Sequence, residues 1–233
     1  MIGSCLLMAL FLMAPYPSAP ADSAALSQAS ITGRTQLEVI LRDRPQMAAI
    51  LMDREAIRAW LVEELGTENP QPLWDPAEPV SGRAAEHEYP SRGGAAPAGT
   101  AVIRVSSRPS GWDQLAGLIF ELHNLRRSAR FEAIHEAAVS GAIDESEYVR
   151  RSLQQEFAAL LATRRFLAQH VHGMPEDARE GSPLFEQILE TADSLEAHLE
   201  EQRDKGVDLE TYFEELYEQE VVPERRGSGS AER

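Results

Sequence analysis

Thiols, lysines and long apolar runs are what this chain lacks. Cys5 is its single cysteine in 233 residues, and it sits inside an apolar N-terminal run. A mature chain without that run has no disulfide, no thiolate nucleophile and no cysteine metal site. Lys205 is the single lysine among 22 basic residues; they face 38 acidic ones, for a net charge of -16. Such a surface repels phosphate backbones, which excludes nucleic acid as a partner. No segment approaches the roughly 20 apolar residues that a helix needs to cross a bilayer, so no transmembrane segment is expected in the mature chain. Gly-x-x-x-x-Gly-Lys and Gly-x-Ser-x-Gly are both missing, which removes the phosphate loop and the serine elbow. Aromatic residues make up only 6%.

What is present begins with a short apolar stretch, Leu6 to Ala14, followed by Ala19-Pro20-Ala21. Residues 1–21 read as a secretory signal, with the mature chain starting at Asp22 in a bacterial periplasm or after full secretion. No Lys or Arg precedes the run, which is the one departure from that pattern.

The remainder is expected to be mainly α, an antiparallel helical bundle with a small extended segment around residues 73–106. Residues 22–33 read as a linker, 34–222 as a single mostly helical domain, and 223–233 as a disordered tail. Apolar positions from Leu37 to Leu65 predict helix, restarted at Pro45 with Asp43 as a cap and stopped by Gly66. Residues 67–111 carry Pro70, Pro72, Pro76, Pro79, Pro90, Pro97 and Pro109, which forbid long helices. Within them, Ala101 to Ser106 predicts a strand that pairs with some part of Leu73–Tyr89. Helices follow over 112–139, from Asp144 to about His170, over Ser182–Arg203 and over about 208–221. The apolar face of the last two, from Leu195 to Tyr217, is expected to pack on the 34–65 helix.

Chemistry concentrates on the 112–139 helix. Glu121, Asn124, Ser128, Glu132 and His135 follow at steps of three, four, four and three. At about 100° per residue these steps place all five on one strip, at the margin of the apolar face. Arg126 falls on the apolar stripe of that helix, and Glu156 on that of the next. A charge there needs a partner. Either Arg126 pairs with Glu156, or Glu156 joins the strip of Glu121 and His135. Glu132 and His135 form Glu-x-x-His, the half-site of a di-iron bundle, but no second copy exists.

Phe120-Glu121-Leu122-His123-Asn124 resembles the His-Glu-x-x-His helix of zincin metallopeptidases, with both histidines replaced. In that family the histidines hold zinc, the Glu activates water, and several members take a third ligand, a Glu, from the following helix. The resemblance covers residues 100–160. It matches Glu121 to the general base, Glu156 to the third ligand, and Phe120 and Asn124 to the two lost ligands. Phe cannot bind zinc and Asn is a poor ligand for it, so the resemblance implies a domain without metal or other cofactor.

The expected function is therefore that of an exported, non-catalytic binding or structural module with a protein or peptide partner. Its groove is expected between the 112–139 helix and the Pro/Gly-rich segment. The alternative is a hydrolase with Glu121 and His135 as catalytic groups, and with Asn124, Ser128, Glu132, Arg126 and Glu156 around them.

Overall fold

A computed structural model describes residues 23–68, 74–79, 84–88, 101–171 and 180–228. The expected signal at 1–21, about half of the Pro/Gly-rich stretch and the last five residues lie outside that set. The architecture is mainly α with one two-stranded antiparallel sheet. Helices α1 (Ser23–Asp43), α2 (Pro45–Leu51) and α3 (Glu55–Glu68) lead into β1 (Ala85–Glu88) and β2 (Val102–Val105). Then come α4 (Gly111–Leu125), α5 (Ser128–Val139), α6 (Glu145–His170), α7 (Pro183–Leu189), α8 (Leu195–Asp204) and α9 (Leu209–Leu216). A π-helical turn, Tyr217–Val221, passes directly into α10 (Val222–Ser228).

The expected strand pairing is present: His87 lies opposite Ile103 and Ala85 opposite Val105, and Trp74 bridges to Ile103 in parallel. Arg44 fixes the end of this ribbon. Its buried guanidinium donates to the Val105 carbonyl through Nε at 2.8 Å and to the Pro76 carbonyl at 3.3 Å. It also lies 5.0 Å from the Trp74 ring centroid. A planar guanidinium fills such a site because it donates in a fixed fork and stacks on an aromatic face at once.

Several expected boundaries move. Residues 23–33, read as a linker, are the first turns of α1, where a run of Ala, Ser and Gln offers no breaker before Gly33. Gly33 serves contact rather than flexibility: a Cβ built on it lies 1.9 Å from the Val62 carbonyl oxygen of α3. Gly66 does not stop α3, which runs on to Glu68; its backbone nitrogen faces Gly33 at 3.0 Å from that same Cβ position. The two glycines let α1 and α3 cross at backbone distance. The expected 182–203 helix is broken at Glu190–Ser194, where Ser194 caps a new start at Leu195 by accepting from the Ala197 amide at 3.2 Å.

Two apolar clusters share α6. One joins α1–α4, the sheet, α7 and the C-terminal part of α6. The other joins α5, the N-terminal half of α6 and α9, with Tyr217 and Val221 beyond it. The face from Leu195 to Tyr217 thus packs on α5 and α6, not on the 34–65 helices as expected. Leu195 and Leu199 instead join Leu209, Phe213, Leu216 and Tyr217 with Ile134, Val149 and Leu153 in the second cluster.

The tail expectation is corrected for residues 223–228, which are helical. Arg225 holds them. It donates to the Ala138 carbonyl at 2.6 Å, the Ile143 carbonyl at 3.1 Å and the Tyr217 hydroxyl at 2.9 Å. Ala138 is in the last turn of α5, so the cation also meets the negative end of that helix. Arg225→Ala should lower stability by about 2–3 kcal/mol, because charged hydrogen bonds to partly buried carbonyls are lost together. A urea midpoint measured beside that of Arg225→Lys checks this; the lysine variant should recover only part of the loss.

Candidate functional site

Helix α4 is buried at all fifteen of its residues. A helix apolar on one face alone would sit at a surface. This one is enclosed by α2, α3, α6, α7 and both strands, so its polar residues must find partners inside the protein. Ser110 caps its start by accepting from the Asp113 amide at 3.1 Å. Asp113 then accepts from the Phe185 amide at 2.9 Å and so caps α7. Ser182, the expected cap of α7, instead shares a hydroxyl–hydroxyl bond of 2.7 Å with Ser110. Burial pushes the Asp113 carboxyl above its usual value against the amides that favour its charge.

Glu121 is the centre of the arrangement. It is 0% exposed, and so is His87, whose Nδ1 lies 2.5 Å from Glu121 Oε2. The imidazole comes from β1, whose alternation turns His87 inward beside the Ile103 position. One turn along α4, Asn124 is also 0% exposed, and neither its Oδ1 nor its Nδ2 has a hydrogen-bond partner among the described residues. Glu121 therefore lies in the middle of the core, not at its margin as expected. His123 points into an aromatic group, 5.2 Å from the Trp60 ring and 6.4 Å from Phe166. Burial, with Arg126 and Arg127 nearby, pulls its pKa down to about 4, so it is neutral at physiological pH.

The five-residue strip does not survive as one line, because the 112–139 helix is two helices. The chain bends at Arg126–Arg127: the Arg127 amide bonds the Asn124 carbonyl at 2.8 Å, and the following helix starts afresh. The bend falls where an all-round buried segment gives way to one exposing Ala129, Arg130 and Ala133. Glu121 and Asn124 stay in the core with β1. Ser128, Glu132 and His135 are carried onto half-buried α5, where His135 Nε2 lies 3.4 Å from Glu224 of α10. Glu121 and His135, paired as catalytic candidates, thus face different elements.

Arg126 does not pair with Glu156. Its guanidinium bonds Glu64 of α3, which is 1% exposed while Arg126 is 46% exposed. Arg126 is the C-cap of α4, and from that position its side chain leaves the α6 interface and reaches α3. Glu156 lines a cavity of about 50 Å3 together with Phe120, Phe157, Ile188, His198 and Gln202. The Phe120–Asn124 segment is thereby split: Phe120 faces this cavity, and Glu121 faces His87. Among the described residues, no three His, Cys, Asp or Glu side chains are placed to hold one metal ion.

Sequence reasoning missed His87, His198 and Gln202. For His87 a signal existed: it alternates with flanking acids in Glu86-His87-Glu88, inside the stretch expected to pair with 101–106. His198 and Gln202 recur at four residues on α8, the spacing of one helix face, but lie in a run dominated by surface glutamates.

Glu220, in the π-helical turn, is a further perturbed acid. Burial and the neighbouring Glu224 raise its pKa to about 7. Burial and the charge of Glu220 in turn push the Tyr148 phenol up. A raised carboxyl means the folded state holds a proton that the unfolded state releases above about pH 4.5. Stability at this position is full below that pH and is lost as pH rises through about 7. Glu220→Gln should therefore stabilise the protein above pH 7, on the order of 2 kcal/mol after allowance for partial exposure, and leave it unchanged near pH 4.5. Thermal midpoints compared between pH 4.5 and 8 measure the difference.

No protein-family model matches the chain, and no curated protein or solved structure shows significant similarity to it.

Proposed function

We propose that this chain is an exported, non-catalytic binding module whose α4 is a zincin-like motif helix absorbed into the core. One observation carries the reading. Glu121, the residue matched to the general base, is wholly buried and bonded to His87, with Phe120 and Asn124 buried at the flanking ligand positions. A general base works on a proton within hydrogen-bond reach of substrate or water, and this carboxylate reaches only the interior. The hydrolase alternative also draws on Glu121, yet its second proposed group, His135, is engaged on another face by Glu224. Export rests on the apolar run of residues 6–14 and on Ala19-Pro20-Ala21.

The binding surface is assigned to α6, α8 and α9, not to the groove expected between the 112–139 helix and the Pro/Gly-rich segment. The cavity behind Phe120 shares Leu153 and Leu195 with an open groove of about 570 Å3 between α6, α8 and α9. Small-molecule sites are commonly built this way, mostly apolar with a few polar groups.

The purified protein, incubated with one equivalent of zinc and passed over a desalting column, should retain none and should cleave no member of a mixed peptide library. Retention of one zinc per chain together with peptide cleavage, the cleavage abolished by Glu121→Gln, would establish the hydrolase instead.

A further inference from the structure

We infer that the groove and the cavity behind it form one site for a primary alkylammonium, its nitrogen held in the cavity and its chain lying along the groove. The inference rests on the reading of the chain as a binding module and names its ligand.

Three observations converge on that chemistry. First, the inner cavity is apolar apart from the side chains of Glu156, Gln187, Thr191, His198 and Gln202. Gln202 is 1% exposed, and its Oε1 has no hydrogen-bond partner among the described residues. His198 is 8% exposed, and its Nδ1 has none either. The carboxylate of Glu156 lines the same space. Gln202 Oε1, and His198 Nδ1 when the ring carries its proton on Nε2, are buried acceptors whose unmet bonds are costly, and an N–H donor relieves them. Burial lowers the His198 pKa, so the imidazole is neutral and does not repel a cation. Its ring lies 5.4 Å from Phe157, which turns an aromatic wall toward the same space.

Second, the entrance is acidic. Glu145, Glu196, Glu210 and Glu214 line the outer groove. Its arginine, Arg150, is already held by Glu147 through bonds of 2.7 and 2.6 Å. Glu210 bonds Arg203, which leaves Glu145, Glu196 and Glu214 as the acids that raise the local concentration of cations.

Third, the shape suits a short head on an apolar chain. The cavity of about 50 Å3 exceeds the roughly 10–15 Å3 that one water needs, which is room for a small head group and no more. The floor of the groove is Val149, Leu153, Leu195 and Leu199, a continuous aliphatic strip. A carboxylate head would meet Glu156 and an acidic rim. A quaternary head would bring charge without a donor.

Calorimetric titration of the purified protein with octylammonium, octyltrimethylammonium, octanol and octanoate, each below its micelle-forming concentration, tests the inference. Octylammonium should bind one per chain, at least tenfold tighter than each of the other three. Gln202→Leu should weaken octylammonium by tenfold or more while leaving octanol unchanged or tighter. Leu199→Trp, on the half-buried groove wall, should weaken all binding in proportion, and it serves where the inner substitution perturbs folding by circular dichroism. Octanol matching octylammonium, with both displaced by Leu199→Trp, overturns the amine while leaving the binding module intact. Absence of any binding sensitive to Leu199→Trp overturns both the amine and this groove as the module's site.

Discussion

His87→Ala should lower the stability of the protein by about 3–5 kcal/mol, the range for breaking a buried pair by removing one partner. The reason lies with what remains. Glu121 Oε1 already lacks a hydrogen-bond partner, and Oε2 has His87 at 2.5 Å. Removal of the imidazole strands a fully buried carboxylate in a helix that no solvent reaches. Glu121→Ala should be similarly damaging, since it orphans His87 Nδ1 and opens a cavity beside β1. The informative experiment is the double variant. If the pair serves only to join β1 to α4, then His87→Leu combined with Glu121→Leu should recover much of what His87→Leu or Glu121→Leu loses alone, because apolar groups of similar volume leave nothing unsatisfied. Guanidinium midpoints of the four proteins give the coupling directly. A double variant as unstable as the sum of the singles would mean that the two residues act on separate neighbours.

The legibility of the chain follows the same division between local and long-range signals. The Asp144 cap, the Pro183 start and the 102–105 strand are written within a few residues, and each appears where expected. The two-stranded pairing was legible because few other extended segments were available to β2. The bend at Arg126–Arg127 was not legible. No proline or glycine marks it, and the apolar period continues across it through Ala129 and Ala133, both of which are exposed. Alanine counts as apolar in a pattern yet is indifferent to exposure, so two alanines extended the strip past its real end. The partner of Arg126 was unreadable for a related reason. A helix sequence gives the direction of a side chain but not which element meets it there, and its partner Glu64 is 62 positions away. The burial of Glu121 on all sides was hidden too, because what encloses a helix depends on elements distant in the chain. What the motif did convey was that the middle of α4 is chemically unusual.

Gly33→Ala is expected to be the most damaging change of a single methyl group. The added carbon would stand 1.9 Å from the Val62 carbonyl oxygen and 2.8 Å from its carbonyl carbon. These are backbone atoms of α3, so no side-chain rotation relieves the overlap, and α1 must move bodily away from its neighbour. Overpacking of a well-filled core typically costs about 1–3 kcal/mol, and a backbone collision belongs at or above the top of that range. The shift also has a direction. Lifting α1 from α3 disturbs Leu37 and Ile40 of α1 against Ile57, Leu61 and Leu65 of α3, all members of the same apolar cluster. Isolated helix propensity argues the other way, since alanine is favoured over glycine by about 1 kcal/mol in a helix interior. The sign of the measured change therefore decides between crossing and propensity. A thermal midpoint lowered by several degrees, with faster amide exchange in α1 and α3, confirms that the two helices meet backbone to backbone. An unchanged or raised midpoint would mean that Gly33 is a helix residue like any other and that the crossing is looser than the 1.9 Å approach requires.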